Sequence, residues 1–459
     1  MNVNKKFRTH YCGKINKNDI NKNVIVCGWI HSITNIGKIK FIKIRDESGI
    51  IQAVIDNENI ICDIKKEYVI KLEGIIRTKI SKINLIEVEI ITKKIFILNK
   101  TLDTLPFYPS DNANINENLI MKYRYIHLRK KEASDKLRLR SNIINDIRKI
   151  LNKNKFLEIE TPILTKHTPE GARDYIVSSR INKGCFFALP QSPQLFKQIL
   201  MISGIEKYYQ IAKCFRDENL RADRQPEFTQ LDIELAFTNE KEIIKIIEKI
   251  IKYLLKKYLK SKIEKIKKIS YKKSMKLYAS EKPDIRNNLI INDINKNLKK
   301  HNMFIKYNKK TCRIAYIKAN DENNYISEKN LNSYIQENNN ENYFYIKIEK
   351  TQILSNIKNT EYIKYIENEL KLLTNDIVII IANEIYIANE KLNKIRIQLH
   401  KNLKLANNSI SLIWVTKFPL FEIDKNTQKY NSFHHPFTSP EEITIHESIP
   451  KLGAPFKPP

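Results

Sequence analysis

Glycine is the residue whose placement most restricts what this chain can form. Nine glycines occur in 459 residues, and none lies between positions 205 and 452. The sequence therefore contains neither a G-x-G-x-x-G turn nor a G-x-x-x-x-G-K-[ST] loop, the two commonest glycine-based phosphate cradles. Any nucleotide that the chain binds would have to be held by side chains.

The composition is that of a globular protein. Hydrophobic residues make up 42% of the chain, which is long enough for two or three domains. No run of about 18 uncharged apolar residues exists, and the polar start MNVNKKFRTHYCGK has no apolar signal core, so we expect no membrane association and a cytoplasmic location. Six cysteines are scattered without a C-x-x-C pair, which favours reduced structural thiols over disulfides or a cysteine metal site.

The net charge of +30 creates a field that attracts polyanions, of which nucleic acid is the commonest soluble partner. Lysine, asparagine and isoleucine nevertheless dominate everywhere, including the predicted surface helices. A general drift in composition would produce the same excess, so charge alone leaves nucleic-acid binding and drift equally open.

Residues 24–98 have the alternating pattern of β-strands. The predicted strands are VIVCGWI, IKFIKIRD, IIQAVI, YVIKLEGIIRTK and LIEVEIITKKIFIL. Five strands in about 75 residues are typical of a small closed barrel such as an OB-fold, whose face commonly binds single-stranded nucleic acid.

From residue 121 onward, helices and strands are mixed, which predicts an α+β domain. Apolar residues form one helical stripe before Pro162 at Ile143, Ile144, Ile147, Ile150 and Leu151. Strands are predicted at CFFAL, YYQIAKCF, FTQLDIELAF and SLIWVTKFPLF, and an amphipathic packing helix over 240–270. Residues 290–410 are rich in asparagine and lysine, contain one candidate strand, DIVIIIANEIYI, and are interpreted as an insertion.

The stretch FRDENLRADRQPEFTQLDIE, residues 215–234, has three arginines and no lysine in a lysine-rich chain. It is predicted to be a loop between two strands. The planar guanidinium groups of Arg216 and Arg224 are suited to bidentate binding of phosphate or carboxylate. Glu218 would accept a hydrogen bond from an adenine amino group, and Asp232 would hold an ammonium. A salt-bridged surface hairpin is the alternative, but exposed ion pairs contribute only about 0–1 kcal/mol each.

This stretch resembles motif 2 of the bacterial-type aspartyl-tRNA synthetases, which are class II aminoacyl-tRNA synthetases. Four further segments resemble that family in its order: TPEGARDY from Thr168, ALPQSPQLFKQ from Ala188, YASEKPDIR from Tyr278 and HHPFTSP from His434. The resemblance implies a five-stranded OB-fold barrel that binds the anticodon, and a class II antiparallel sheet flanked by helices with an inserted α/β domain. It divides the chain into the barrel at 1–109, a linker at 110–120, the catalytic core at 121–289 and 411–440, a degenerate insertion at 290–410 and a divergent tail at 441–459.

The resemblance also implies a reaction. ATP and L-aspartate would form aspartyl-adenylate and pyrophosphate, Mg²⁺ would accompany ATP, and the aspartyl group would pass to tRNA(Asp); a homodimer is expected. Arg216 matches the catalytic residue that bridges the substrate carboxylate and the α-phosphate. Positions matching ATP contacts are Arg216, Asp217, Glu218 and Gln225. Positions matching aspartate contacts are Glu170, Ser192, Gln194, Lys197, Arg216, Asp232 and His434. Positions matching anticodon contacts are Phe41 and Gln52.

Several of these residues have plainer interpretations. Gln194 and Lys197 lie one helical turn apart and would suit a surface helix. His434 and His435 would suit a zinc pair, but they lack nearby cysteine or glutamate partners, so we predict no protein-held metal. Phe41 suits a core strand position as well as a base-stacking one.

The chain departs from the family pattern at three places. The arginines expected after Trp29 are replaced by HSIT, which weakens the predicted anticodon selectivity. The Gly-Ala-Asp of the family's insertion is replaced by Ile381, Ala382 and Asn383, which suggests an eroded, dispensable insertion. The tail from 441 replaces the glycine-rich motif 3 segment and the acidic and arginine ligands before it, which predicts impaired catalysis and an unpaired edge on the sheet.

Three hypotheses follow. The first is an aspartate:tRNA ligase. The second is a descendant with impaired catalysis that retains only tRNA binding or dimerisation. The third is an amide-forming relative that activates aspartate for ammonia, which the barrel argues against because such enzymes need no anticodon module. The sequence alone leaves open whether tRNA(Asn) is also charged.

Overall fold

The computed structural model describes residues 7–56, 63–80, 86–102, 104–111, 115–168, 170–219, 224–261, 263, 265–323, 325–336, 342–405, 409–423, 429–434 and 438. The chain divides into two compact units, Met1–Asn145 and Asp146–Pro459. Within the described ranges, every helix is too short or too polar to cross a membrane.

The first unit contains a closed barrel of five strands, which confirms the predicted OB-fold. The strands are β1 Asn23–Ile36, β2 Ile39–Arg45, β3 Ile50–Ile55, β4 Val69–Ile80 and β5 Ile86–Asn99, bonded in the order β1-β2-β3-β5-β4. Side chains alternate along β2, where Ile42 and Ile44 are buried inside the barrel and Lys43 is exposed. Two short helices follow, α1 Glu117–Lys122 and α2 Arg124–His127.

A tight backbone contact explains the glycine at position 74. A β-carbon on Gly74 would lie 2.2 Å from the carbonyl oxygen of Ile91 on the neighbouring strand. The register of β4 against β5 also shifts between Glu73 and Gly74. Only glycine permits this approach of the two strands.

The elements that carry the predicted site follow, starting with α3, which spans the boundary between the two units. In chain order they are α3 Lys131–Lys153, β6 Leu157–Glu158, β7 Ile176–Ser178, β8 Phe186–Ala188, α4 Gln194–Ile202, β9 Lys207–Phe215, β10 Glu227–Leu235 and α5 Glu240–Leu259. β9 lies between β10, which is antiparallel to it, and β6, which is parallel. Part of the predicted antiparallel sheet is therefore present, and the described residues between β9 and β10, 216–219 and 224–226, lie outside the strands as expected. Ile147 and Leu151 of the α3 stripe are buried.

The helix predicted over 240–270 is eleven residues too long, because α5 ends at Leu259. Lys260 takes a left-handed conformation (φ 52°), and its backbone N–H bonds to the Leu255 carbonyl. The next residues form strand β11, Lys267–Ser270, which pairs in parallel with β17, Ile413–Thr416. The pairing with a strand far along the chain overrides the local helical periodicity.

The insertion contains a five-stranded sheet, so the expectation of a single strand is wrong. The interpretation of this insertion as eroded and dispensable stays a prediction. In chain order the elements from 271 to 402 are α6 Tyr271–Tyr278, β12 Ile291–Asp293, α7 Lys296–Lys300, β13 Cys312–Asn320, α8 Glu328–Gln336, β14 Tyr343–Ile348, β15 Ile353–Ser355, α9 Thr360–Leu370, β16 Asp376–Glu384 and α10 Ile385–Asn402. The sheet order is β12-β13-β16-β14-β15. Alternate residues of β16 enter two separate hydrophobic clusters, so this strand is covered on both faces. Two short strands close the described fold, β18 Phe421–Ile423 and β19 Tyr430–Ser432.

Candidate active site

The β9–β10 hairpin positions the first group of predicted site residues. Asp232 lies opposite Gln210 in the hairpin register, and Phe228 lies opposite Cys214. Asp232 and Glu234 are two residues apart on one strand, so their side chains point to the same face. Residues 220–223 of the connecting loop, including Arg221, lie outside the described residues.

Lys197 of α4 meets this acidic face. Its Nζ lies 3.0 Å from Asp232 Oδ1 and 3.2 Å from Glu234 Oε2. Burial alone would lower the pKa of the Lys197 ammonium, but the two carboxylates outweigh it and raise that pKa above its ordinary value. The group is therefore a permanent cation. It has three N–H donors, of which the two carboxylates use two.

Glu170 and Ser192 form a second contact of the predicted site. Ser192 Oγ donates a hydrogen bond of 2.6 Å to Glu170 Oε2. The other carboxylate oxygen, Oε1, is buried and has no partner among the described residues. A buried acceptor without a partner costs about 1–3 kcal/mol, so this oxygen is positioned to accept a hydrogen bond from a ligand.

Arg216 and Asp232 have unsatisfied buried atoms of the same kind. Arg216 Nε and Asp232 Oδ2 lack a partner in the described part of the chain. The Arg216 guanidinium carbon lies 5.0 Å from the centroid of the Phe228 ring, which restricts the orientation of the guanidinium plane. Arg216 Nε is thus an available donor for an anion, and Glu170 Oε1 and Asp232 Oδ2 are available acceptors for a cation.

The buried Cys214 thiol lies near these charges. Burial raises the pKa of Cys214 to about 11, and the charges of Arg216, Asp232 and Glu170 all act on it. Its Sγ donates to Gln230 Oε1 at 3.1 Å. The thiol is therefore protonated and structural, as the sequence predicted for the cysteines in general, and the charged residues around it make up the candidate site.

The predicted ATP residues lie on the loop after β9. The Asp217 backbone N–H donates to the Arg173 carbonyl at 3.0 Å. Glu218 accepts a 2.6 Å hydrogen bond from Arg224, an exposed partner that a ligand can displace. Gln225, at the far end of the loop, is exposed.

Gln194 shares helix α4 with Lys197, whereas His434 lies next to aromatic rings. Gln194 is the first residue of α4 and is half-buried. The ring of His434 lies 4.9 Å from Phe418 and 5.0 Å from Phe433, next to Tyr271, so its described ring contacts are aromatic. The zinc interpretation of His434 and His435 is untested, because His435 lies outside the described residues.

The predicted anticodon residues lie on the outer surface of the barrel. Gln52 is part of the wall of a 520 Å³ groove that is also lined by His31, Lys43, Lys79 and Glu87. Its Nε2 donates to Glu89 at 2.8 Å, and Lys79 donates to its Oε1 at 3.3 Å, so the side-chain amide has a defined orientation. Phe41 is half-buried and shares the outward face of β2 with Lys43.

Two residues near the site were not predicted. Glu234 shares Lys197 with Asp232, and the spacing of two along a predicted strand was a signal that would have found it. Gln191 is completely buried beside Ser192 and bonds to the segment that carries Glu170. Its role depends on a contact with a loop, and such contacts leave no periodic pattern in the sequence.

Comparison with known proteins gives consistent matches along the chain. Residues 24–98 match the family model of the OB-fold nucleic acid binding domain. Residues 116–456 match the model of the class II tRNA synthetases (D, K and N).

Individual relatives are similar over nearly the whole chain. An aspartate–tRNA(Asp/Asn) ligase of Legionella pneumophila (strain Corby) is 41% identical over 461 residues, covering 95% of this chain and 78% of the relative. An aspartate–tRNA ligase of Mycoplasma mycoides subsp. mycoides SC is 39% identical, covering 95% and 77%. The solved asparaginyl-tRNA synthetase of Pyrococcus horikoshii complexed with asparaginyl-adenylate has a TM-score of 0.54 at 19% identity, over 85% of this chain and 96% of that one, which is a likeness of fold.

Proposed function

Because the chain belongs to the class II tRNA synthetases of the D, K and N group, we propose that it is an aspartate:tRNA ligase. It would activate L-aspartate with ATP and transfer the aspartyl group to tRNA(Asp) during translation in the cytoplasm. The observation that carries the proposal is the group of buried charged atoms at Glu170, Lys197, Arg216 and Asp232. Glu170, Arg216 and Asp232 each have a buried atom without a partner in the described part of the chain, and Lys197 has a third N–H donor.

This arrangement complements a dicarboxylic amino acid. The acceptors Glu170 Oε1 and Asp232 Oδ2 are suited to the substrate ammonium. The remaining N–H of Lys197 is suited to the side-chain carboxylate. Asparagine has no charge at that end, so Lys197 would favour aspartate by an ion pair that asparagine cannot form. Ser192 supports this pocket by holding Glu170 through its hydroxyl.

Arg216 would act on the reaction itself. The substrate α-carboxylate oxygen attacks the α-phosphorus of ATP, the bond from that phosphorus to the bridging oxygen of pyrophosphate breaks, and aspartyl-adenylate forms. Arg216 would bridge the carboxylate and the α-phosphate, bringing two anions together and stabilising the charge that develops between them. The free Nε donor and the stacking on Phe228 support this role.

We place ATP along the loop after β9, where Glu218 would accept from the adenine amino group after releasing Arg224, and Asp217 and Gln225 would line the same path. Among the described residues, no three His, Cys, Asp or Glu side chains group together as metal ligands. Mg²⁺ would therefore be held chiefly by the phosphate oxygens of ATP.

In the second step a hydroxyl of the terminal adenosine of tRNA attacks the aspartyl carbonyl, and AMP leaves. The groove around Gln52 would bind the anticodon, with Gln52 reading a base edge and Phe41 stacking on a base. Lys43 and Lys79 in the groove would contact phosphates. Loss of the tRNA contact in a Gln52→Ala variant, with aspartate activation unchanged, is the expected result.

We further propose that the enzyme is a homodimer. Large apolar side chains are exposed between β6 and α4, a region that also includes Pro162: Leu157, Ile163, Leu164, Ile176, Ile181, Phe186, Ile199 and Ile202. Exposed apolar surface of this extent is characteristic of subunit interfaces. Sedimentation equilibrium would show a two-chain species, and a monomer at all concentrations would contradict the proposal.

The second candidate function is tRNA binding or dimerisation without catalysis. It is favoured by the edge of β10, which pairs only with β9 in the described part of the chain. Aspartate-dependent exchange of labelled pyrophosphate into ATP separates the two. Exchange with L-aspartate but not L-asparagine supports the ligase, and its absence in the folded chain supports binding alone. Charging of tRNA(Asp) and tRNA(Asn) in parallel then determines which tRNA is used.

A further inference from the structure

We propose that Gln191 is a positioning residue for the aspartate pocket. It holds the segment that carries Glu170, of which the structure describes Thr168 and residues 170–174, in the substrate-binding conformation before the substrate arrives. This inference rests on the proposed function, because it assigns Glu170 to the substrate ammonium.

The side chain of Gln191 is fully buried and bonded at both ends of its amide. Its Oε1 accepts from the Ala172 backbone N–H at 3.1 Å, and its Nε2 donates to the Ala172 carbonyl at 2.8 Å. Nε2 also donates to Asp174 Oδ1. One side chain thus satisfies both backbone groups of Ala172, as a neighbouring strand would.

Gly171 and Asp174 also determine how the segment is held. Gly171 has a φ of +93°, and a β-carbon there would meet no atom within 4 Å. Asp174, itself held by Gln191, accepts from the Thr168 backbone N–H at 3.3 Å and lies 2.5 Å from His167 Nδ1. The contacts at the start of the segment therefore depend on the same glutamine.

The segment also connects the two halves of the site. Arg173 accepts the backbone hydrogen bond from Asp217, on the loop assigned to ATP. Glu170, three residues earlier, bonds to Ser192, the residue that follows Gln191. The buried Gln191 side chain therefore connects this segment to the rest of the domain. The segment in turn contacts the proposed positions of both substrates.

Ordering a loop costs conformational entropy, and a ligand that must order its own pocket binds more weakly by that amount. Gln191 removes this cost from aspartate binding. Its loss should therefore raise the KM for aspartate and change the KM for ATP much less, because the loop after β9 contacts the segment through Asp217 but is also anchored by β9 and β10.

The test uses the full chain with Gln191→Leu and Gln191→Glu, in pyrophosphate exchange. We expect the KM for aspartate to rise by about tenfold to a hundredfold in Gln191→Leu, with the KM for ATP changed by less than about twofold. Gln191→Glu keeps the acceptor but places a carboxylate against Asp174, so its KM should recover as the pH is lowered and the new carboxyl becomes a donor.

The matched control is Asn356→Ala. Asn356 also accepts from a backbone N–H, that of Tyr345, and donates to a carbonyl, that of Tyr343, but it lies in the inserted sheet. A purely structural role for Gln191 predicts the same result as this control, namely a lower melting temperature with an unchanged KM for aspartate, and that result would overturn the proposal.

Hydrogen–deuterium exchange gives a readout that does not depend on activity. The peptide covering residues 168–175 should exchange faster in Gln191→Leu than in the wild type, without substrate, while the peptides of β9 stay unchanged. Equal exchange would refute the positioning role. If the wild type is inactive in pyrophosphate exchange but the two proteins still differ in deuterium exchange, the ligase function is refuted, and the contact of Gln191 with the segment is not.

Discussion

Replacing Lys197 with methionine tests the centre of the candidate site. Methionine keeps most of the side-chain length and removes the ammonium. The Nζ lies 3.0 Å from Asp232 and 3.2 Å from Glu234, and the exposed side-chain fractions are 11% for Lys197, 11% for Asp232 and 22% for Glu234. Two largely buried carboxylates would be left next to each other without a cation.

The expected loss of stability follows from these distances. At an effective dielectric constant of about 20, two charges about 3 Å apart attract each other by roughly 5 kcal/mol. Desolvation offsets much of this attraction, and removing one partner of a buried pair costs about 3–5 kcal/mol. Because Glu234 is partly exposed, we expect Lys197→Met to lower the free energy of unfolding by about 3 kcal/mol.

Urea unfolding of Lys197→Met, Glu234→Gln and the double variant measures this term. The double variant leaves one unpaired carboxylate instead of two, so it should be about 1–2 kcal/mol more stable than Lys197→Met. A loss below about 0.5 kcal/mol in Lys197→Met would match an exposed pair and refute the burial argument.

Activity separates the stabilising role of Lys197 from its proposed contact with substrate. In the double variant the rate of aspartate-dependent pyrophosphate exchange should still be reduced by on the order of a hundredfold or more, because no cation remains for the side-chain carboxylate of the substrate. Near-normal KM for aspartate in this variant would refute the assignment of Lys197 to that carboxylate.

Three other predictions concern separate parts of the chain. Arg216→Lys should reduce aspartate-dependent exchange by about a hundredfold or more, because a point charge cannot bridge two anions as a guanidinium does; near-normal exchange would refute the bridging role. Gly74→Ala should destabilise the barrel by more than about 2 kcal/mol in urea unfolding, because its β-carbon would lie 2.2 Å from a backbone oxygen. The control Gly37→Ala, at φ +57° with open space around it, should cost only about 1 kcal/mol. Equal losses in the two variants would contradict the steric explanation. Arg286 holds the pKa of Asp284 at about 2, below the ordinary 3.8. The ionised carboxylate therefore stabilises the fold above pH 3.8, and this contribution is lost as the pH falls towards 2. The stability difference between wild type and Asp284→Asn should shrink over that interval, and a constant difference would refute the pairing.

The barrel and the β9–β10 hairpin were predictable because their patterns are local. Buried and exposed residues alternate along the strands, so Ile42 and Ile44 are recognisable as interior positions without knowledge of their partners. The spacing of Asp232 and Glu234 likewise identifies two carboxylates on one face. The roles of Arg216, Lys197, Glu170 and the other site residues stay predictions until they are measured.

The insertion shows why other parts were not predictable. Its central strand is buried on both faces and lacks alternation, while its flanking segments are rich in asparagine and lysine. Buried Lys347 pairs with Asp321 at 3.2 Å, and buried Arg396 donates to the Leu289 carbonyl at 2.7 Å. Charged residues that are satisfied inside a core look like surface residues in a sequence, and this is why only one strand of the insertion was recognised.

By itself the sequence determined which segments become barrel strands and the hairpin, which residues supply charge, and that side chains must do the work of a glycine-rich phosphate loop. Only the tertiary structure decided where α5 ends, that the insertion has a sheet with a core on both faces, and which atoms of Arg216, Glu170 and Asp232 lack partners among the described residues. The physical reason is the distance along the chain over which each property is determined. Periodicity and residue chemistry are set by neighbours a few positions away, whereas burial and hydrogen-bond satisfaction depend on residues that folding brings from distant parts of the chain, as with Gln191 and the segment 168–174.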